Sequence, residues 1–379
     1  MPYPGLGQIE MIWASLLAAA GAFLINLLIL PLVLRLAHRH KWYDRPDSRK
    51  IHTGLIPRMG GPGLFLSFIL AVVLVALALP RLAGGRLLEP RLIALFGGMT
   101  IVHLVGLYDD FKNLPAIWKF VLQLAAAAII TSGGFLIRSV TLPYLGSINL
   151  GLAAYPVTVV WLVGIANAVN LIDGMDGLAG GIGAFAAAAM GAIALLQGST
   201  RGAVLAFALF GALLAFLLFN FPPARIFMGD SGSLFLGLTL AALPLVGGIP
   251  RSAAFGSLIV PVTLLTVPIL DTATAILRRL RHRRSIISPD KQHIHHKLLA
   301  MGLSERQILT VIYGMCAYLA LVSVTSVVLP KEINAYLIIV VWVGSLLGYW
   351  VLSYLEVKNR KAGSAAQRQD SEASGTGSG

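Results

Sequence analysis

Sulfur and charge are both scarce in this chain. Cys316 is the only cysteine among 379 residues and lies in an apolar segment, which excludes an intrachain disulfide and a thiolate metal site. Asp, Glu, Lys and Arg together make up only 12% of the sequence, about half the share usual in a soluble domain. No long polar domain separates the apolar runs. What fills the chain instead is 57% hydrophobic residues, with a mean hydropathy of +0.82. Such a chain belongs mostly inside a bilayer. No Lys or Arg precedes the first apolar run, and that run outlasts the apolar core of a signal peptide, so a retained membrane helix is expected there.

Eleven apolar segments, at about 10–36, 62–79, 92–108, 117–132, 153–170, 178–196, 203–219, 232–246, 254–277, 307–328 and 334–355, approach the ~20 residues that a bilayer core requires. The expected fold is an all-α polytopic membrane protein of about eleven transmembrane helices. Residues 1–356 form a single catalytic domain, and the polar Gly/Ser/Ala-rich tail 357–379 is expected to be disordered in the cytoplasm. An odd number of spans puts the termini on opposite sides. Placing the N-terminus outside and the C-terminus in the cytoplasm leaves only Arg81, Arg86, Arg91, Arg138, Arg201, Arg251 and Lys331 outside, of 29 lysines and arginines. The net charge of +13 is therefore topological first, and it calls for no nucleic acid. RSVTLPYLGSINLG (Arg138 to Gly151) reads as a small extracytoplasmic hairpin.

The most informative stretch is NAVNLIDGMDGLAGG, Asn167 to Gly181. Asn167, Asn170, Asp173 and Asp176 recur every three residues and form one polar stripe if the preceding helix continues through them. The glycines that follow let backbone approach a ligand, with a new helix N-terminus just beyond. A polar turn between buried helices explains one such residue, not four.

Other polar clusters flank the apolar runs. Asp109 and Asp110 end the third segment in GLYDDFKNLP, where they suit a cation or a general base, or else cap a helix. Asp230 and Ser231 open the eighth segment between glycines, a natural phosphate-and-metal position or an ordinary cap. Asp271 lies inside the ninth. Facing lipid it would cost ~2.5–3.5 kcal/mol, so it is expected to face the bundle interior or to pair with an arginine. His293, His295 and His296 in HIHHKL lack the fourth ligand of a zinc site and fit donors to a pyrophosphate better. The first cytoplasmic loop, DRPDSRKIHTGLIPRMGG, offers anion-binding side chains including Arg49, Lys50, His52 and Arg58, or simply solvated positive-inside charge. Under this topology Asp109, Asp110, Asp173, Asp176, Asp230 and Asp271 all lie toward the cytoplasm. Carboxylates without thiolates select a hard cation, Mg²⁺ before others.

Taken in order, DRPDSRKIH…PRMGG, GLYDDFKN, NAVNLIDGMDGLAGG, FMGDSGSLFLG and HIHHKL resemble the polyprenyl-phosphate N-acetylhexosamine-1-phosphate transferases, of glycosyltransferase family 4 type. The resemblance implies a Mg²⁺-dependent enzyme (Mn²⁺ as the substitute) of the bacterial cytoplasmic membrane, with its active site on the cytoplasmic face. Such an enzyme moves a sugar 1-phosphate from a UDP-sugar to undecaprenyl phosphate and releases UMP, and a homodimer is compatible with it. By position, Asp230 matches the Mg²⁺-binding aspartate, accompanied as metal candidates by Asp110 and Asp173. Asp109 and Asp110 match the pair required for catalysis, with Asp109 the candidate base. Asn167, Asn170, Asp173 and Asp176 fall in the nucleotide- and metal-proximal motif. Asn220 and Phe227 resemble positions beside the uridine, and the histidines match a loop near the pyrophosphate. The HIHHKL and RPDSRKIH motifs favour the N-acetylglucosamine branch, which initiates teichoic acid, O-antigen or related glycans, over the phospho-N-acetylmuramoyl-pentapeptide transferases. An ion-coupled transporter also accounts for intramembrane Asp, but not for motifs gathered on one face.

Overall fold

The structure is a computed structural model describing residues 4–43, 56–79, 89–142, 146–246, 259–281, 283, 293–330, 333, 336–337, 339–348 and 350. In chain order the helices are α1 (Pro4–His40), α2 (Gly60–Ala78), α3 (Pro90–Lys112), α4 (Ala116–Ser132), α5 (Ala154–Ile172), α6 (Leu178–Leu196), α7 (Thr200–Asn220), α8 (Gly229–Val246), α9 (Ile259–Leu264), α10 (Thr266–Arg281), α11 (Ile294–Ala300) and α12 (Glu305–Val328). Strands β1 (Ser139–Leu142) and β2 (Gly146–Asn149) pair antiparallel, Ser139 opposite Asn149, as the expected hairpin.

The protein is an all-α polytopic membrane protein. Among the described residues eight helices are long and apolar enough to cross a bilayer: α1, α2, α3, α5, α6, α7, α8 and α12. The other three expected segments look different. Helix α4 has 17 residues, about 25 Å at 1.5 Å per residue, short of a ~30 Å hydrocarbon core. The segment 254–277 holds two helices, α9 and α10, broken at Leu265. Pro268 has no N–H to return to the Leu264 carbonyl, so the ladder is interrupted there. The final segment contains the short apolar helix Ile339–Gly348, and its end at 351–355 lies outside the described residues, as does the tail 357–379.

Helix α8 is the axis of the bundle. Of its apolar stretch 83% is buried inside the protein, against 22% for α1, which faces outward along most of its length. Helices α2, α3, α5, α6 and α7 pack around α8, and α1 closes the outside against α7 and α2. An aromatic cluster joins α2, α3 and α8. His103 stacks on Phe65 at 4.3 Å, and Phe235 meets Phe65 and Phe68 edge-on at 5.4 and 5.6 Å. Each such pair contributes about 0.5–1.5 kcal/mol beyond burial. Above this cluster α3 touches α8 directly: a Cβ on Gly106 would come within 2.5 Å of the Asp230 carbonyl and the Ser231 nitrogen. Small residues permit such contact in a membrane, and here it brings Asp109 and Asp110 up to Asp230.

Candidate active site

Helix α3 stops just after its two aspartates, with Asn113 left-handed at φ 52°. Neighbouring helical residues point about 100° apart, so the two carboxylates face different partners. Asp109 accepts the Leu114 N–H at 2.7 Å through Oδ1 and the Lys119 ammonium at 2.9 Å through Oδ2. The same Lys119 Nζ lies 2.6 Å from Asp230 Oδ2. On its other side Asp230 meets Arg58 at 3.5 Å. One lysine thus bridges two carboxylates that would otherwise repel.

Asp110 is occupied differently. Its Oδ1 accepts the Asp230 N–H at 2.8 Å, and its Oδ2 accepts the Ser231 N–H at 3.1 Å and the Ser231 hydroxyl at 2.7 Å. These are the free N–H groups at the start of α8, so Asp110 caps α8 from another helix. Gly229, at φ +72°, opens the space, because a Cβ there would lie 2.6 Å from Asp110 Oδ2. Both oxygens of Asp110, expected as a metal ligand, thus accept hydrogen bonds from the first turn of α8.

Helix α5 ends at Ile172, and Asp173 at φ −74°, ψ 47° leaves the helical path. The expected stripe therefore divides. Asn167 and Asn170 stay on α5, while Asp173 and Asp176 belong to the turn beyond. Asn167 donates to Gln123 Oε1 at 2.5 Å and Asn170 to Ser233 Oγ at 2.8 Å, and Ser233 in turn donates to the Gly229 carbonyl at 2.9 Å. In the turn, the Ala224 N–H donates to Asp176 Oδ2 at 2.8 Å. Asn220 clamps the same region, accepting from the Gly177 N–H at 2.9 Å and donating to the Ile226 carbonyl at 2.8 Å. With both ends of its amide engaged, Asn220 shapes the site's wall. Burial raises the Asp173 pKa well above the usual carboxylate range; Arg58 opposes this, and Asp230, Asp110 and Asp176 reinforce it.

The segment leading into α2 runs beside the approach to α8. The Phe227 N–H donates to the Pro57 carbonyl at 2.8 Å, and the Gly60 and Gly61 N–H groups donate to the Phe227 and Met228 carbonyls at 2.9 Å. This pairing sets Arg58 and Phe227 beside Asp230. Arg49, Lys50 and His52 lie outside the described residues. Tyr43 bridges Pro57, so the two ends of that loop meet.

His293 and His295 are buried at the start of α11. His295 packs on the Asp173–Gly177 turn: a Cβ on Gly174 would lie 3.0 Å from its Cε1 and Nε2. Its ring centroid is 4.2 Å from that of His296. Burial, with His296 adding to it, pushes the His295 imidazole down to about 3, so it is neutral near pH 7.

Four of the five sequence clusters thus meet directly, and Arg58 joins them from the fifth. Lys119, Gln123, Ser233 and the Asp271–His293 pair were missed. For Lys119 a signal existed: it is a lone cation inside an apolar run, expected to face a polar interior. The others show only through contacts between elements remote in sequence.

Among the described residues no three His, Cys, Asp or Glu side chains converge as a ready-made metal cage. A hard cation such as Mg²⁺ needs no such cage, since one or two carboxylates with phosphate oxygens and water suffice to hold it. Asp230, with its side chain between Lys119 and Arg58, stands where such a role would be filled.

Residues 92–248 match the model of glycosyl transferase family 4. Over 297 residues the chain is 38% identical to a Bacillus subtilis protein described as a probable undecaprenyl-phosphate N-acetylglucosaminyl 1-phosphate transferase, covering 77% of this chain and 80% of that one. It is 35% identical to a Mycobacterium tuberculosis decaprenyl-phosphate N-acetylglucosaminephosphotransferase over 77% of this chain and 78% of the relative. A Yersinia pestis undecaprenyl-phosphate alpha-N-acetylglucosaminyl 1-phosphate transferase is 29% identical over 80% and 81% of the two chains. With carboxylates, lysine and histidines gathered at one end of the bundle and relatives matched over most of their length, this chain belongs to glycosyl transferase family 4.

Proposed function

We propose that this protein transfers N-acetylglucosamine 1-phosphate from UDP-N-acetylglucosamine to undecaprenyl phosphate. The products are undecaprenyl-diphospho-N-acetylglucosamine and UMP, the first membrane step in making a cell-envelope glycan. The observation that carries this reading is Asp230 at the N-terminus of α8, flanked by Lys119, Arg58 and Asp109. That arrangement suits a diphosphate with a metal, and the Bacillus subtilis relative's description supplies the sugar and the lipid.

An oxygen of the lipid phosphate attacks the phosphorus that bears the sugar. The anhydride bond between the two donor phosphates breaks, and UMP departs with that bond's electron pair. One anhydride replaces another, so no ATP is needed. Such transfer depends chiefly on alignment and charge neutralisation. Bound Mg²⁺, or Mn²⁺ in its place, would neutralise diphosphate charge and would be held by Asp230, with Asp110 and Asp173 the further candidates. Arg58 and Lys119 supply fixed positive charge beside it. Asp109 is the candidate base for the lipid phosphate, released when Lys119 turns to substrate. Asp110 acts by holding the first turn of α8, and with it Asp230, in place. Asn170 supports the same turn through Ser233. Asn220 and Asp176 shape the nucleotide's wall, with Asn167, Phe227 and the loop holding Arg49, Lys50 and His52 alongside. His293, His295 and His296 line the pyrophosphate.

In the bacterial inner membrane, the positive-inside bias supports a cytoplasmic active site and an outside N-terminus. The experiment is lipid-linked product formation by the purified protein from labelled UDP-N-acetylglucosamine and undecaprenyl phosphate, with and without EDTA. Product that disappears in EDTA and returns with Mg²⁺ supports the reading. Full activity in EDTA contradicts the metal, and no product under any condition contradicts the reaction.

A further inference from the structure

Asp271 has no place in the chemistry above, yet it is the most buried acid among the described residues. Its side chain is 1% exposed, on α10. A carboxylate so placed must be paired, and here both oxygens are taken by a segment more than twenty residues onward. Oδ2 accepts from His293 Nδ1 at 2.7 Å, and Oδ1 accepts the Ile294 N–H at 2.8 Å. The second bond satisfies a free N–H at the start of α11. The first has a chemical consequence: a carboxylate only accepts, so Nδ1 of His293 carries a hydrogen.

His295 follows directly. Its ring lies parallel to that of His293, 4° apart at a centroid separation of 6.1 Å. It is 1% exposed, and neither of its ring nitrogens meets a hydrogen-bond partner among the described residues. A polar ring held this way against Gly174 needs something to keep it there. Among the described residues, the bonds from Asp271 to His293 and Ile294 bracket it most closely on the N-terminal side.

We propose that Asp271 is a positioning residue for phosphosugar transfer, acting through His293 and the first turn of α11 to hold the histidine segment against the Asp173–Gly177 turn. It touches no substrate itself. The proposal rests on the reading that this segment meets the donor's pyrophosphate.

The test compares wild type with Asp271→Asn and Asp271→Glu in the purified protein. Asparagine keeps the shape, but once its oxygen takes the Ile294 N–H its amide N–H faces His293, which must then accept at Nδ1. Turnover should fall about 10–100-fold, the range typical of groups that orient a functional histidine, with KM for the UDP-sugar within about threefold. In a His293→Ala background the same substitution should cost nothing further, because its route is gone. Asp271→Glu, which retains a carboxylate acceptor, should recover part of the turnover.

Nitrogen-15 NMR of labelled histidine at about pH 8, where free imidazole is neutral, reads the tautomer without any turnover. Wild type should show His293 protonated at Nδ1, and the Asn variant at Nε2. An unchanged tautomer, or equal losses with and without His293, overturns the proposal. So does a variant that merely melts earlier while its folded fraction turns over normally. If the tautomer flips as expected but wild type shows no transferase activity, the fault lies with the proposed function rather than with Asp271's hold on His293.

Discussion

Asp110 and Asp230, neighbours across α3 and α8, carry different burdens, and substitution should separate them. Asp230→Asn removes a charge next to Lys119, but Lys119 keeps Asp109 as a partner. The variant should therefore stay folded and lose most of its turnover. Asp110→Ala removes three hydrogen bonds from the first turn of α8 and should cost about 1–2 kcal/mol of stability, the range for a lost helix cap. Activity and melting temperature measured on both variants check this. An Asp110→Ala protein as stable as wild type would contradict the capping role. His295 gives a prediction in pH. Burial first, then His296 and His293, hold its imidazole near 3, with Asp271 opposing, against an ordinary value of 6.5. The folded value is the depressed one, so the neutral ring's contribution to stability is complete above about 6.5 and is lost as pH falls towards 3. By about pH 5 the loss should reach about 2 kcal/mol. Thermal unfolding of wild type and His295→Gln from about pH 8 to 5 should show the wild type losing ground to the variant; parallel curves would contradict it. The sequence identified the histidines and carboxylates as a polar site. It held no sign of which oxygen caps which helix, because Asp110 and Ser231 are joined only by the fold.

At the scale of elements, the start of α8 depends on one backbone conformation. Gly229 sits at φ +72°, with Asp110 Oδ2 2.6 Å and the Arg58 carbonyl 2.8 Å from where a Cβ would be. Gly229→Ala must adopt a left-handed backbone, at roughly 1–3 kcal/mol, and must also push Asp110 aside. Turnover should fall as in Asp110→Ala, whereas Gly97→Ala, whose Cβ meets nothing within 4 Å, should leave it unchanged. Comparing the two in one assay checks the geometry. Apolar length made most helices legible, since α2, α6 and α7 follow from hydropathy alone. The break between α9 and α10 was not read. Its signal, Pro268 two residues after Thr266 opens α10, is overridden in a hydropathy window by Val, Ile and Leu on both sides. The end of α5 was likewise hidden, because a three-residue polar spacing looks the same whether a helix continues or turns at Asp173.

For the whole molecule, the expectation that the polar motifs share one face becomes a matter of contacts. Lys119 joins α3 to α8, Asp110 reaches across between the same helices, and His295 meets the turn after α5. Single cysteines at positions 112, 225 and 300, exposed beside the Asp109–Asp110, Asp230 and histidine clusters, in a Cys316→Ser background should all be labelled from the cytoplasm, and an extracytoplasmic label at any of them would break the single site. The donor is where the family's branches part. The most direct measurement is lipid-linked product formed by the purified protein from UDP-N-acetylglucosamine and from UDP-N-acetylmuramoyl-pentapeptide, at equal concentration with undecaprenyl phosphate and Mg²⁺. Product from the first donor and little from the second is the expected result. A clear preference for the pentapeptide donor would contradict it.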